Sequence, residues 1–354
     1  MTTLIPIVSF LVIIVVLILA HELGHFVTAR ATGVKVEEFG LGFPPRLFSI
    51  KRGETRYSLN AIPLGGFVKM AGEEDPKVPG SLASKSAGTR VLVLSAGSLM
   101  NFLLPLFLFS IAFMVPHNLV MGQVMVKEVT PNSPAALAGI RAGDTISSVD
   151  GKALSNHTDL DRYIQSNLGS EITLLVQHSD ATKEYVQVIP RWKPPEGQGA
   201  VGILISTSDV TVGSQHYPFW EAIPLGVGAC IETFVLFKNG IVSMIIGTTP
   251  VELAGPVGIA QLTGEVAKAG ISPLLEFAAF LSINLAIINI FPLPALDGGR
   301  IAFVLLEWVR RGKRIAPKTE GLVHTVGFIL LITAMVAITY QDIIRIISGE
   351  NLLP

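Results

Sequence analysis

Apolar residues run almost unbroken over about 4–28, 91–115, 273–293 and 322–340. Each stretch reaches the roughly 20 residues a helix needs to cross a bilayer. The first and third are interrupted by polar residues near their C-terminal ends. A fifth apolar stretch, 222–246, carries Glu232, Lys238 and Asn239. Those charges predict an interfacial or amphipathic helix rather than a span.

The regions between the spans follow a different pattern. Residues 118–206 alternate short β-like runs with turn signals, as in Gln123–Val129, Thr173–Gln177 and Tyr185–Ile189. Pro134–Ala138 predicts a short helix, and His157–Leu168 has helical spacing. Together they predict a small α+β domain. Residues 31–90 contain further short strands at Val34–Phe39, Arg46–Ile50, Thr55–Leu59 and Phe67–Met70, joined at Gly40, Gly42, Pro44, Pro45, Gly65 and Gly66. Several are apolar enough to dip into the membrane face. Non-helical backbone at that depth must be covered by protein or line a wet cavity, which suits the wall of a groove. The expected units are 1–115 with two spans and a β region at about 34–70, a domain at 118–206, an interfacial helix region at 207–272, and two further spans within 273–354.

Composition agrees with this plan. Half of the residues are apolar and 15% are charged, against about 25% charged in soluble domains. The net charge of −1 gives no bulk attraction to nucleic acid. The N-terminal run has no Lys or Arg before Arg30 and no small-residue cleavage pattern, so it reads as a retained span. The 30–90 connection carries ten Lys or Arg and the short 300–318 connection six. Basic connections stay in the cytoplasm. The 116–272 region and both termini are then expected on the opposite side.

His21-Glu22-Leu-Gly-His25 fits H-E-x-x-H. Positions i and i+4 share a helix face, so both imidazoles can bind one Zn²⁺. Glu22, offset by about 100° on the helix, can reach the metal's water and act as base. Cys230 is the only cysteine, so a metal must use His, Asp or Glu. The candidate third ligand is Asp297, in Asn289-Ile-Phe-Pro-Leu-Pro-Ala-Leu-Asp-Gly-Gly. Geometry supports the choice. His21 lies about 26 Å along the first span at 1.5 Å per residue. The third span runs the same way and delivers Asp297 to a similar depth. A metal transporter would instead spread its ionisable residues across the membrane. Pro292 and Pro294 break the third helix and free backbone groups that can line a wet site. Asn289 either orients a substrate carbonyl or forms an interhelical hydrogen bond, as is expected of Asn284.

Taken together, His21–His25, Asn289–Gly299, Ile62–Met70 and Ala254–Gly258 resemble the site-2 protease family, in its regulator-of-sigma-E branch. The resemblance implies Zn²⁺ on His21, His25 and Asp297 with Glu22 as base. It implies an intramembrane endopeptidase of the bacterial inner membrane, acting on single-span proteins such as anti-sigma factors, after outside trimming, and on remnant signal peptides. It implies that the element holding Gly65, Gly66 and Phe67 presents substrate as an added strand. It makes 118–206 look like one PDZ domain for substrate C-termini, with Met121–Val124 near the peptide-binding loop. Asn101 fits the family pattern in the second span, where Ser98 stands in place of a common Pro.

Overall fold

A computed structural model describes residues 4–73, 75–249 and 254–348. It divides into two compact units, one formed by residues 1–112 with 253–354 and the other by 113–252.

In the first unit, α1 (Leu4–Ala31), α2 (Ala87–Met114), α7 (Ile271–Ile290) and α9 (Pro317–Ser348) are long apolar helices. α1 shows why one helix serves two solvents. Ile5, Val8, Val12, Val16, Leu19, Leu23 and Val27 are exposed along one stripe, a face suited to lipid. Ile13, Leu17, His21 and His25 repeat at i+4 on the other side and are buried. The polar pair therefore lies on the protein-facing stripe. Gly24 lets α2 come close, because a Cβ there would overlap the Ala96 carbonyl. The unit also holds α6 (Pro256–Ala269), which packs on α1, and α8 (Asp297–Val309).

Between α1 and α2 run two long strands, β1 (Val36–Arg52) and β2 (Thr55–Met70). The four short strands expected from the sequence are parts of these two. Each strand bends, so that Phe39 pairs with both Val68 and Tyr57, while Tyr57 also pairs with Ile50. The spatial order is 66–70, 36–41, 55–60, 46–52. The register shifts between Leu41, Phe43 and Arg46 fall at the Gly and Pro residues that had read as strand breaks. Among the described residues the 66–70 segment has a strand partner on one side only.

The second unit is built on an antiparallel sheet of order β7-β6-β4-β3-β8, with β5 paired to β4. Its strands are β3 (His117–Val129), β4 (Thr145–Val149), β5 (Lys152–Ala153), β6 (Ile172–Gln177), β7 (Lys183–Val188) and β8 (Ile203–Gln215). α3 (Pro134–Leu137) and α4 (His157–Ser166) complete it. Alternate residues Val124 and Val126 of β3 and Ile172, Leu174 and Val176 of β6 point inward, with Ile146 and Val149 on either side of a register shift in β4, and they close on Leu160 of α4. This is a PDZ-like arrangement. Two details differ from the sequence reading. β8 continues to Gln215, past the expected end at 206. Val124 is paired on both sides, with Ile146 and with Thr207, so Met121–Val124 lies within an interior strand. The sheet's two edge strands are β7 and β8, the second of which follows Gly202.

α5 (Phe219–Ile245) is a fifth helix long and apolar enough to cross a membrane by length and composition. Two of its polar residues, Asn239 and Glu232, meet α4. Asn239 donates to the Gln165 and Ser166 carbonyls at 2.8 and 3.1 Å, and Glu232 meets Arg162 at 3.7 Å.

In the same unit His178 meets Asp144 at 3.0 Å and Glu184 at 3.5 Å. The hydrogen bond to Asp144 raises the His178 pKa above its ordinary value. A raised pKa means that folding favours the protonated ring. The resulting stability is fully present below the unfolded pKa of about 6.5 and is lost as pH rises through the folded value. Thermal unfolding of His178→Gln beside the parent should therefore show a deficit at pH 5.5 that closes toward pH 9. A pH-independent gap would contradict this.

Candidate metal centre

His21 and His25 meet Asp297 although 272 residues separate His25 from the aspartate. The Asp297 Oδ2 lies 3.0 Å from His21 Nε2 and 3.2 Å from His25 Nε2, and the two Nε2 atoms are 3.2 Å apart. The three are the one group of metal-type ligands that converges within 4.8 Å among the described residues.

A sharp turn delivers Asp297. α7 ends at Ile290, Phe291 turns to an extended conformation, and Ala295 takes a left-handed φ of 74°. Asp297 then opens α8, in its first turn, where the helix dipole favours a carboxylate. Gly298 and Gly299 are required by this path. A Cβ at Gly298 would overlap the Ile290 and Phe291 carbonyls, and one at Gly299 the Leu293 carbonyl. His324 supports the turn by accepting the Ala295 N–H at 3.0 Å.

The donor set fits a zinc ion. His25 donates Nδ1–H to the Val93 carbonyl at 2.8 Å. A carbonyl only accepts, so in the neutral imidazole the Nε2 of His25 carries a lone pair. That lone pair faces a carboxylate oxygen and a second imidazole nitrogen at 3.2 Å. Lone pairs so close repel unless a cation sits among them. Two imidazoles and one carboxylate, with one position left open, make up a catalytic zinc set. Gly97 gives the rings room: a Cβ there would overlap His25 Nε2 and come within 2.7 Å of His21 Nε2.

Two clefts reach these ligands. One, of about 350 Å³, is lined by His21, Glu22, His25, Gly66–Met70, Glu73, Leu94, Ala295, Asp297 and Arg300. The other, of about 270 Å³, brings Asn289 together with Gly65, Gly66, Glu22 and Asp297. Glu22 lines both. Gly66 passes close by it, since a Cβ there would lie 2.9 Å from Glu22 Cγ. Phe67 lines the first cleft. Pro292 and Pro294 line neither. They belong to the turn instead, and Pro294 packs where a Cβ on Gly327 of α9 would sit. Arg300 binds Glu73 at 2.6 Å, and Glu73 also accepts the Met70 N–H at 3.1 Å. This pair ties the end of β2 to α8, the element that carries Asp297. Gly97, the Val93 carbonyl, Glu73 and Arg300 had no signal as site residues in the sequence.

Peptidase family M50 matches residues 9–334. A putative zinc metalloprotease of Clostridium perfringens is 38% identical over 333 residues, covering 93% of this chain and 95% of the relative. The zinc metalloprotease RasP of Geobacillus kaustophilus is 31% identical, covering 96% and 98%. The regulator of sigma-W protease RasP of Bacillus subtilis is 28% identical over the same shares. Among solved structures, the PDZ domain of an SdrC-like protein from Listeria monocytogenes is 26% identical, covering 23% of this chain and 85% of that one, with a TM-score of 0.21.

Proposed function

The chain belongs to peptidase family M50, and from that membership we propose that it cleaves peptide bonds within or near the transmembrane segments of single-span membrane proteins. It is a multi-pass zinc metalloprotease of the site-2 type with a PDZ domain. The observation that carries the proposal is the convergence of His21, His25 and Asp297 beside Glu22 and an open strand edge.

His21, His25 and Asp297 hold the ion. When bound, zinc supplies a Lewis acid that polarises the scissile carbonyl and makes water nucleophilic near neutral pH. Glu22 takes the proton of the attacking water and delivers it to the leaving amine. The 66–70 segment of β2 offers unpaired backbone groups along the cleft. A substrate paired there is drawn out as a strand, which exposes its carbonyls to attack. A membrane helix would otherwise keep each carbonyl hydrogen-bonded within itself. Asn289 faces the second cleft, where its amide donates to the substrate backbone.

Substrates are anti-sigma factors and remnant signal peptides shortened beforehand on the outside. The name of the Bacillus subtilis relative, a regulator of sigma-W, fits the first class. The PDZ domain, outside the cytoplasm with both termini, then screens substrates by size or by a new C-terminus. The protein lies in the bacterial inner membrane, with the two basic connections in the cytoplasm.

The test is cleavage of a labelled single-span peptide by the purified protein. Cleavage should stop on chelation and return with added zinc. Unchanged turnover after the metal has been removed would refute the proposal.

A further inference from the structure

α2 turns three residues spaced by four, Val93, Gly97 and Asn101, toward the histidine pair. Each does something different. Val93 presents its carbonyl to Nδ1 of His25. Gly97 presents no side chain. Asn101 presents an amide, and it is completely buried.

Nδ2 of Asn101 lies 3.5 Å from Nδ1 of His21, while Oδ1 is buried with no donor. The residue is anchored from behind, where its main-chain carbonyl accepts the Ser282 hydroxyl of α7 at 2.7 Å. His21 must carry its proton on Nδ1 if Nε2 is to bind a metal. That proton then needs an acceptor, and the amide nitrogen is not one. A half-turn of the amide exchanges Nδ2 and Oδ1 within the same volume. It gives His21 an acceptor and Oδ1 a donor.

We propose that Asn101 is a positioning residue of the metal centre, whose Oδ1 accepts Nδ1–H of His21 and holds the ring in the tautomer that directs Nε2 at the ion. α2 thereby fixes both imidazoles, His25 through a main-chain carbonyl and His21 through a side-chain one. Metal-bound histidines depend on such partners for orientation and basicity. The assignment rests on His21 being a zinc ligand.

The test measures zinc affinity of the purified full-length chain by competition with a fluorescent chelator. Asn101→Leu, similar in size but without an acceptor, should bind zinc about 10–100-fold more weakly. Asn101→Asp restores an acceptor oxygen and should stay close to the parent. Should Leu prevent folding, Asn101→Ala removes the acceptor without adding bulk. Parent-like affinity in the variant without an acceptor overturns the assignment. So does equal weakening in that variant and in Asn101→Asp, because that would mean shape alone matters. If the parent itself takes up no zinc, the ligand reading of His21 fails, and this assignment fails with it.

Discussion

Glu22→Gln is expected to cut peptide cleavage by about 10²–10⁴-fold, or about 3–5 kcal/mol in the barrier, while zinc content stays at the parent level. Gln has the same shape as Glu but cannot take a proton at neutral pH. Glu22 is outside the converging group of His21, His25 and Asp297, so the ion should remain. Its packing should remain too, because Gly66 leaves room for a side chain of this size and outline. The measurement pairs metal analysis with turnover of a single-span peptide. Parent-like turnover with zinc in place would remove Glu22 from the chemistry. Loss of zinc along with activity would mean that Glu22 holds the site together rather than acting as its base.

The second large effect belongs to a residue that carries no chemistry. Gly97→Ala should weaken zinc binding by at least about 100-fold, beyond the usual effect of losing a supporting partner. The added methyl overlaps His25 Nε2 and approaches His21 Nε2 at 2.7 Å, so it occupies space the ligand atoms need. Neither ring can retreat far. His25 is tied to the Val93 carbonyl, and close packing at Gly24 holds α1 against α2. Zinc–ligand distances in genuine sites hold to within about 0.2 Å of their standard values. Gly88→Ala is the control. It lies on the same helix with nothing within 4 Å of the new carbon, and it should bind zinc normally. If Gly97→Ala retained the parent's affinity, the two rings would have to be freer to move than this packing allows.

The sequence was most informative where local periodicity and chemistry coincide. His21 and His25 read as a pair because four residues on a helix return to the same face. Asp297 could be matched to them because two spans running the same way reach similar depths. Strands β3, β6 and β7 of the PDZ-like domain were legible from their alternation, while the interior β4 was not. Less was legible where a residue's neighbours come from far along the chain. Gly97 looks like any small residue in an apolar helix. The Val93 contribution is a main-chain carbonyl, to which the side chain gives no clue. Pro292 and Pro294 sit beside Asp297 in sequence, yet they shape the turn and leave the clefts to Ala295 and Asn289. The polar residues of α5 looked like signs of an interface. In the structure two of them, Asn239 and Glu232, meet α4.

By itself, then, the sequence determined the membrane character of this protein, the apolar helices, the zinc-binding residue types and the helix face that carries two of them. These depend on hydrophobicity and on the 3.6-residue turn, both of which act within a few residues. Only the tertiary structure decided which groups stand behind His21 and His25 and where room was left beside them. It also decided how two bent strands become a four-segment sheet with an open edge at the cleft, and that β7 and β8 edge the second sheet. Those outcomes depend on contacts between segments up to 272 residues apart, where close packing and unmet hydrogen bonds, not local propensity, select the arrangement.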